Sequence, residues 1–164
     1  WYAMTIIHYH KGELDKFQNN IKMGLSIAPN SPAVLADSGV YLCLMGEMEQ
    51  GLSLVKKAMA LNPQHPNWCQ FALFHNHFLK GEFDKAAGYI STIETPDWFW
   101  PHALQAIIFT ELGDEKSAER AKQNVLRLYP KFSKNALDEC SKWFQREQDT
   151  AYYLESFKKA GLMN

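Results

Sequence analysis

Hydrophobic residues recur every three to four positions along most of the chain, which is the spacing of an amphipathic helix. Apolar runs at residues 33–45 and 68–79 alternate with amphipathic runs at 48–61 and 115–128. No stretch of the sequence shows the strict two-residue alternation of a half-buried strand. The pattern predicts an all-α protein whose helices are connected by short turns.

The breaks between these runs are regular. Four glycines recur at intervals of 34, 35 and 32 residues: Gly12, Gly46, Gly81 and Gly113. Each should end one helix, because the residue that closes a helix often needs the left-handed conformation open to glycine. An acid follows each glycine, as in KGELDK and KGEFDK, and we expect it to accept bonds from free amides of the next helix. Three prolines, each seventeen residues after a glycine, should end the second helix of a pair: Pro29, Pro63 and Pro130.

The spacing resembles the tetratricopeptide repeat family, whose unit is a helix, turn and helix of about 34 residues. That family has small residues seven before and five after the glycine, where this chain has Gly39, Ala106, Gly51, Ala86 and Ala118. The resemblance implies a right-handed α-α superhelix of about four repeats, at residues 1–29, 32–63, 66–96 and 99–130. Residues 131–164 are predicted to form two capping helices, one near 135–144 and one with Asp149 as N-cap.

The match has exceptions. Phe74 stands where the family has a small residue, and His8 and His77 stand where it has an aromatic residue or leucine. The third repeat has Pro96 in place of a proline at the usual distance, so its last turn is expected to be irregular.

Several segments resemble a narrower group, the C-terminal repeat regions of bacterial adenylate or guanylate cyclases and of winged-helix transcriptional regulators. These segments are NPQHPNW, FLKGEFDKA, PDWFWPHAL, LYPKFS and ESFKKAGL. The resemblance implies a cytoplasmic module of a bacterial signalling or transcription-regulatory protein. Trp1 falls inside the first predicted helix, so we expect an upstream domain in a longer parent chain.

Composition narrows the classes of partner. The 164 residues are 46% hydrophobic, enough for the core of a compact domain, and the net charge of −1 gives no reason to expect nucleic acid or a membrane as partner. The three cysteines are distant from one another and are expected to be thiols: Cys43, Cys69 and Cys140. Cations outnumber acids in residues 116–146. A solvated outer face is the favoured interpretation, with contact to an acidic partner or to DNA phosphates as the alternatives.

No residue pattern indicates catalysis. In HYH and HNH the two imidazoles lie two residues apart, about 200° around a helix, so neither pair is expected to share a metal. His8 and His77 are expected to be hydrogen-bonded between helices. Nucleophile elbows and phosphate-binding glycine loops do not occur in the sequence. We therefore predict no enzyme activity, no cofactor and no metal.

The remaining prediction is a binding surface. In such repeats the first helix of each pair lines the concave side, and here those positions form an aromatic, almost uncharged groove: Tyr2, Ile6, Tyr9, His10, Trp68, Phe71, His75, Phe78 and Trp100. The groove is expected to bind a protein or peptide segment or the upstream domain, or else its rings meet one another inside the fold. A domain that senses a small apolar ligand and a structural dimerisation module, hence a homodimer, are the alternative functions.

Overall fold

The computed structural model describes residues 2–93 and 95–163, with the side chain of Tyr2 outside the described part. Within these ranges the chain forms helices and no strand, which confirms the all-α prediction. The α-helices are α1 (Tyr2–His10), α2 (Leu14–Ile27), α3 (Pro32–Met45), α4 (Met48–Leu61), α5 (Gln70–Leu79), α6 (Phe83–Ile90), α7 (Phe99–Glu111), α8 (Glu115–Leu128), α9 (Phe132–Trp143) and α10 (Glu147–Lys159), with a 3-10 turn at Asn67–Cys69 before α5. No helix in the described ranges is long and apolar enough to cross a membrane.

The repeated glycines lie where the sequence predicts a helix end. All four have positive φ angles, and Gly81 at +70° is representative. In that turn the N–H of Gly81 donates to the carbonyl of Phe78, and the N–H of Glu82 donates to the carbonyl of His77. These bonds satisfy the carbonyls that the last turn of α5 would otherwise leave unpaired.

The acids after the glycines do not all cap the next helix. Asp114 does so, since its carboxylate accepts a hydrogen bond from the backbone N–H of Ser117 at 3.0 Å. Glu13, Glu47 and Glu82 occupy the same position without a side-chain capping bond. The prediction was wrong for these three, and glutamate is also not among the residues that favour the N-cap position.

Close approach of α3 and α4 depends on two glycines. A Cβ atom on Gly39 would lie 2.7 Å from the backbone oxygen of Gly51, and one on Gly51 would lie 2.5 Å from Sγ of Cys43. Neither site has room for a methyl group, so the close approach of α3 and α4 requires glycine at both positions.

The chain divides into two compact units, Trp1–Ala72 and Leu73–Asn164, where the sequence predicted one compact domain. In a repeat architecture each helix pair contacts mainly its neighbours, so the core is local. The first unit buries Tyr9, Phe17, Leu35 and Val55. The core of the second unit is richer in rings, with the buried side chains Phe74, Phe78, Trp100, Phe132, Phe144, Tyr153 and Phe157. The repeat boundaries themselves remain a prediction.

Three details of the second unit differ from the regular or expected pattern. Helix α6 has 8 residues, whereas α8 has 14, and turns follow α6 where an irregular segment was expected. Helix α9 begins at Phe132, three residues before the predicted start. Asp149 is not the N-cap of α10: Arg146 is, and Asp149 lies in the first turn, where its carboxylate binds the Arg146 guanidinium.

Candidate partner-binding surface

The nine predicted surface residues fall into three groups. Four side chains are accessible in full or in part, and all belong to the first unit: Ile6, His10, Trp68 and Phe71. Four are buried: Tyr9, His75, Phe78 and Trp100. The side chain of Tyr2 lies outside the described residues. The prediction of exposure is therefore corrected for the four buried residues.

In the second unit helix α10 covers the predicted groove residues. Phe78 has its ring centroid 4.9 Å from that of Tyr153, and Trp100 lies 6.1 Å from Phe157. Trp100 also meets Phe144 edge-on at 6.4 Å. The chain's own C-terminal helix occupies these positions, so no surface for a partner is left there.

His75 is the centre of a buried polar cluster in the same place. Its Nδ1 lies 2.9 Å from the hydroxyl oxygen of Tyr153, and its ring stacks on Phe144 with centroids 5.2 Å apart. Nε2 has no hydrogen-bond partner among the described residues, and the Asp149 carboxylate oxygen is 3.9 Å away. Arg146 donates two hydrogen bonds to Asp149, at 2.8 and 2.6 Å. The cluster connects α5 to the start and the middle of α10.

Burial determines the protonation of this cluster. Loss of solvation lowers the pKa of His75 to about 4, an effect that the nearby Asp149 carboxylate opposes and Arg146 reinforces. Burial also raises the pKa of Tyr153 well above its usual value, so its hydroxyl keeps its proton. The hydrogen bond therefore joins a protonated hydroxyl to Nδ1 of a neutral imidazole. A neutral, fully enclosed histidine suits a structural role in attaching α10 better than proton transfer to a substrate.

In the first unit Tyr9 is buried by rings of neighbouring helices. Its centroid lies 5.1 Å from Phe17 of α2 and 4.7 Å from Tyr41 of α3, both edge-on. Ile6, on the same helix, is half-buried, and His10 at its end is exposed. Trp68 in the 3-10 turn and Phe71 at the start of α5 are half-buried. Among the predicted groove residues whose side chains are described, these four are the ones that solvent still reaches.

The two histidines expected to be satisfied between helices are hydrogen-bonded across the glycine turns. Nδ1–H of His8 donates to the Glu13 carboxylate, and Nδ1–H of His77 donates to Glu82, each at 2.5 Å. The histidine, and then a lysine three residues after the glutamate, lower the pKa of each carboxyl below its usual value. The repeated KGExDK letters therefore build a turn with an internal ion pair.

The remaining candidates for site chemistry in the described ranges are groups of metal ligands and the thiols. No group of three or more His, Cys, Asp or Glu side chains there could hold a metal ion. The three cysteines are free, as expected, and all three are buried. Burial raises the pKa of Cys43 and Cys140 to about 12 and that of Cys69 to about 11, so these thiols stay protonated and are poor nucleophiles.

Sequence reasoning assigned residues 131–164 to capping helices but did not connect Phe144, Tyr153 and Phe157 with the groove. A signal was present, because Tyr153 and Phe157 are spaced i, i+4 and lie on one face of a helix. Their target was not readable, because any apolar face in the chain has the same pattern.

Comparison with known proteins bears on the fold. No protein-family profile matches the chain, and no curated protein matches it by sequence. Solved structures of MamA are similar to this chain over nearly the full length of the chain. "MamA 41-end from Desulfovibrio magneticus RS-1" has a TM-score of 0.65 at 15% identity and covers 98% of this chain and 91% of its own. A MamA RS-1 ArsTM double mutant gives 0.64 at 15%, covering 98% and 90%, and a crystal structure of MamA gives 0.61 at 17%, covering 94% and 91%. At these identities the likeness shows the fold, an all-α helical repeat of the tetratricopeptide type.

Proposed function

We propose that the chain is a non-catalytic protein-interaction module, and that Ile6, His10, Trp68 and Phe71 of the first unit form its contact surface. One comparison within the chain supports this proposal. Trp68 and Trp100 each lie thirteen residues before a turn glycine, and so hold equivalent places in their helix pairs. Trp100 is 5% exposed because the C-terminal helix pair covers it, whereas Trp68 stays half-buried.

The same register relates a second pair. Ile6 and His75 each lie six residues before a glycine. His75 is 1% exposed beneath Tyr153, while Ile6 is half-buried. In both comparisons the residue of the second unit is covered by the C-terminal helices, and the residue of the first unit is accessible.

The second unit also indicates what kind of segment fits such positions. Helix α10 presents Tyr153 and Phe157, spaced i, i+4, to Trp100 and Phe78. We expect the partner of the first unit to supply a comparable helix with two aromatic or large aliphatic residues at that spacing. Recognition by a few such anchors is the usual way in which a helix binds an apolar groove.

The proposal extends to the class of protein that contains the module. We assign it to a bacterial signalling or transcription-regulatory protein on the strength of segments such as NPQHPNW and PDWFWPHAL alone. In that setting the partner helix belongs to another protein or to an upstream domain of the same polypeptide.

Substitutions at the two equivalent tryptophans test the proposal. Trp68→Ala should abolish partner capture with a small loss of thermal stability, and Phe71→Ala should behave in the same way. Trp100→Ala is the matched control, because truncating a buried aromatic ring costs about 3–5 kcal/mol of unfolding free energy. Equal destabilisation by Trp68→Ala and Trp100→Ala, with capture unchanged by the former, would mean that Trp68 is a core residue and not an anchor.

A photo-crosslinking residue placed at position 68 in the native host identifies the occupant. A benzophenone side chain there should form an adduct with one protein segment, while the same side chain in place of exposed Ser91 should not. An adduct with a second copy of the chain would instead indicate dimerisation. A small molecule that accompanies the purified chain in native mass spectrometry, together with no protein adduct, would indicate a ligand sensor.

A further inference from the structure

Helix α8 carries a straight row of cations on its outer face. Lys116, Arg120 and Arg127 are spaced i, i+4 and i+11, and at 100° per residue they lie within about 40° of the helix circumference. The row is roughly 16 Å long at a rise of 1.5 Å per residue. We call these three residues the α8 basic row.

The row faces away from the core of the second unit. The buried residues of α8, Ala121 and Val125, lie about 140° and 180° around the helix from Lys116. All three cations are exposed. The row therefore lies on the solvent side of α8, where its guanidinium and ammonium groups are accessible.

Several other cations of the second unit form ion pairs within the chain. Lys122 pairs with Glu119, Lys142 with Asp138 and Glu139, Arg146 with Asp149, and Lys159 with Glu111. Within the described ranges no ion pair or side-chain hydrogen bond joins a row residue to an acid, although the pKa of Asp114, lowered mainly by its hydrogen bonds from Ser117, is lowered further by the charges of Arg120 and Lys116. Two more exposed cations follow the row, Lys131 and Lys134.

The first member of the row lies near the N-terminus of α8, where its charge interacts with the N-cap carboxylate of Asp114. Lys116 is the second residue after the N-cap Asp114. A positive charge in the first turn opposes the helix dipole and is mildly destabilising.

We propose that the α8 basic row is a second interaction surface, and that its occupant is an acidic protein segment with carboxylates at helical spacing. Charge complementarity supplies the attraction, and the line of three cations sets the spacing of the acids it fits. The surface is independent of the aromatic positions in the first unit.

An acidic protein fits this face better than nucleic acid does. The whole chain has a net charge of −1, so it gives a polyanion no long-range attraction. Glu115 and Glu119 border the row on one side, about 60° to 100° from Lys116 around the helix. A continuous phosphate backbone would meet these carboxylates, whereas a helix with a single line of acids would avoid them.

Binding of designed peptides tests the proposal directly. The probe is a fluorescein-labelled alanine-rich helix with glutamates at i, i+4, i+7 and i+11, and its reference carries glutamines instead. Fluorescence anisotropy should show at least about tenfold tighter binding of the glutamate peptide, with an affinity that falls as salt is added. Equal affinity for the two peptides would overturn the proposal.

Charge-reversal variants locate the binding site. The triple variant Lys116→Glu, Arg120→Glu and Arg127→Glu should weaken binding of the glutamate peptide by about tenfold or more. The matched control reverses three other exposed cations that form no ion pair in the described part of the chain: Lys22, Lys56 and Lys80. The control variant has the same net charge as the row variant, so a loss of affinity confined to the row variant is an effect of the site. The control should bind within about twofold of the unchanged chain.

Two further results would contradict the proposal. One is an equal loss of affinity in both triple variants, which would make the attraction a net-charge effect. The other is tighter binding of a fluorescein-labelled DNA duplex than of the peptide, lost only in the row variant, which would assign the row to nucleic acid. The triple glutamine variant of the row, compared by circular dichroism and thermal melting, separates lost binding from lost folding.

Discussion

Acidification should destabilise the second unit through His75. The imidazole is enclosed by Phe144 and Tyr153, and burial lowers its pKa from the ordinary 6.5 to about 4. The unfolded chain therefore binds a proton at a pH where the folded chain does not. The part of the unfolding free energy that depends on the neutral ring is fully present above pH 6.5. It declines as the pH falls from 6.5 to about 4, and below that pH no further loss is expected.

The size of the effect follows from the two pKa values. A tenfold difference in proton affinity is worth about 1.4 kcal/mol, so a fall from 6.5 to about 4 corresponds to about 3 kcal/mol of unfolding free energy. Asp149 and Arg146 are the charged groups beside the ring, and their mutual ion pair limits the help that Asp149 gives to a protonated imidazole. The loss is comparable with removal of a large buried side chain.

The assay is urea unfolding of the chain and of a double variant, His75→Phe with Tyr153→Phe, at several pH values from 7 down to 4. The variant keeps the stacked rings and removes both polar partners, so no buried hydroxyl is left unpaired. The difference in stability between the two proteins should change by about 3 kcal/mol over this interval. A constant difference, or an NMR titration of the His75 ring with a midpoint near 6.5 in the folded chain, would refute the reasoning.

Four other substitutions test the packing, the turns and the buried ion pair. Gly51→Ala should lower the unfolding free energy by at least 1–3 kcal/mol, because its methyl would lie 2.6 Å from the backbone oxygen of Gly39; a stability within error of the unchanged chain would mean that α3 and α4 separate easily. Gly81→Ala should lower the unfolding free energy by about 1 kcal/mol, because of its φ of +70° alone. Gly88→Ala, inside α6 with open space around it, should raise the unfolding free energy by about 0.5–1 kcal/mol. Thermal melts that shift in the same direction for both variants would contradict this expectation. Asp149→Asn should destabilise the second unit by about 2–3 kcal/mol, because the Arg146 guanidinium would then be bound to a neutral side chain. Recovery of the variant's stability in high salt would argue against burial of the Arg146–Asp149 pair.

The sequence alone was sufficient for the helical repeat. Gly12, Gly46, Gly81 and Gly113 could be read as helix ends because a left-handed residue is a local backbone requirement that few residue types meet. The close contact of α3 with α4 was readable for a similar reason, since only a small residue such as Gly39 or Gly51 leaves room for it. The backbone conformation at each helix end and the space between paired helices depend on residues at fixed places in the repeat, so the sequence pattern determines them.

Which aromatic rings stay accessible was decided by the tertiary structure. Trp68 and Trp100 have the same register in the sequence, yet only Trp100 is covered, by Phe144 and by Phe157 of α10. The burial of His75 by Tyr153, seventy-eight residues away, follows from the same packing. Hydrophobic attraction has no direction and depends on area removed from water, so the sequence specifies an apolar face without specifying what covers it. That choice is made only when distant helices meet, and it decides which part of the predicted groove can bind a partner.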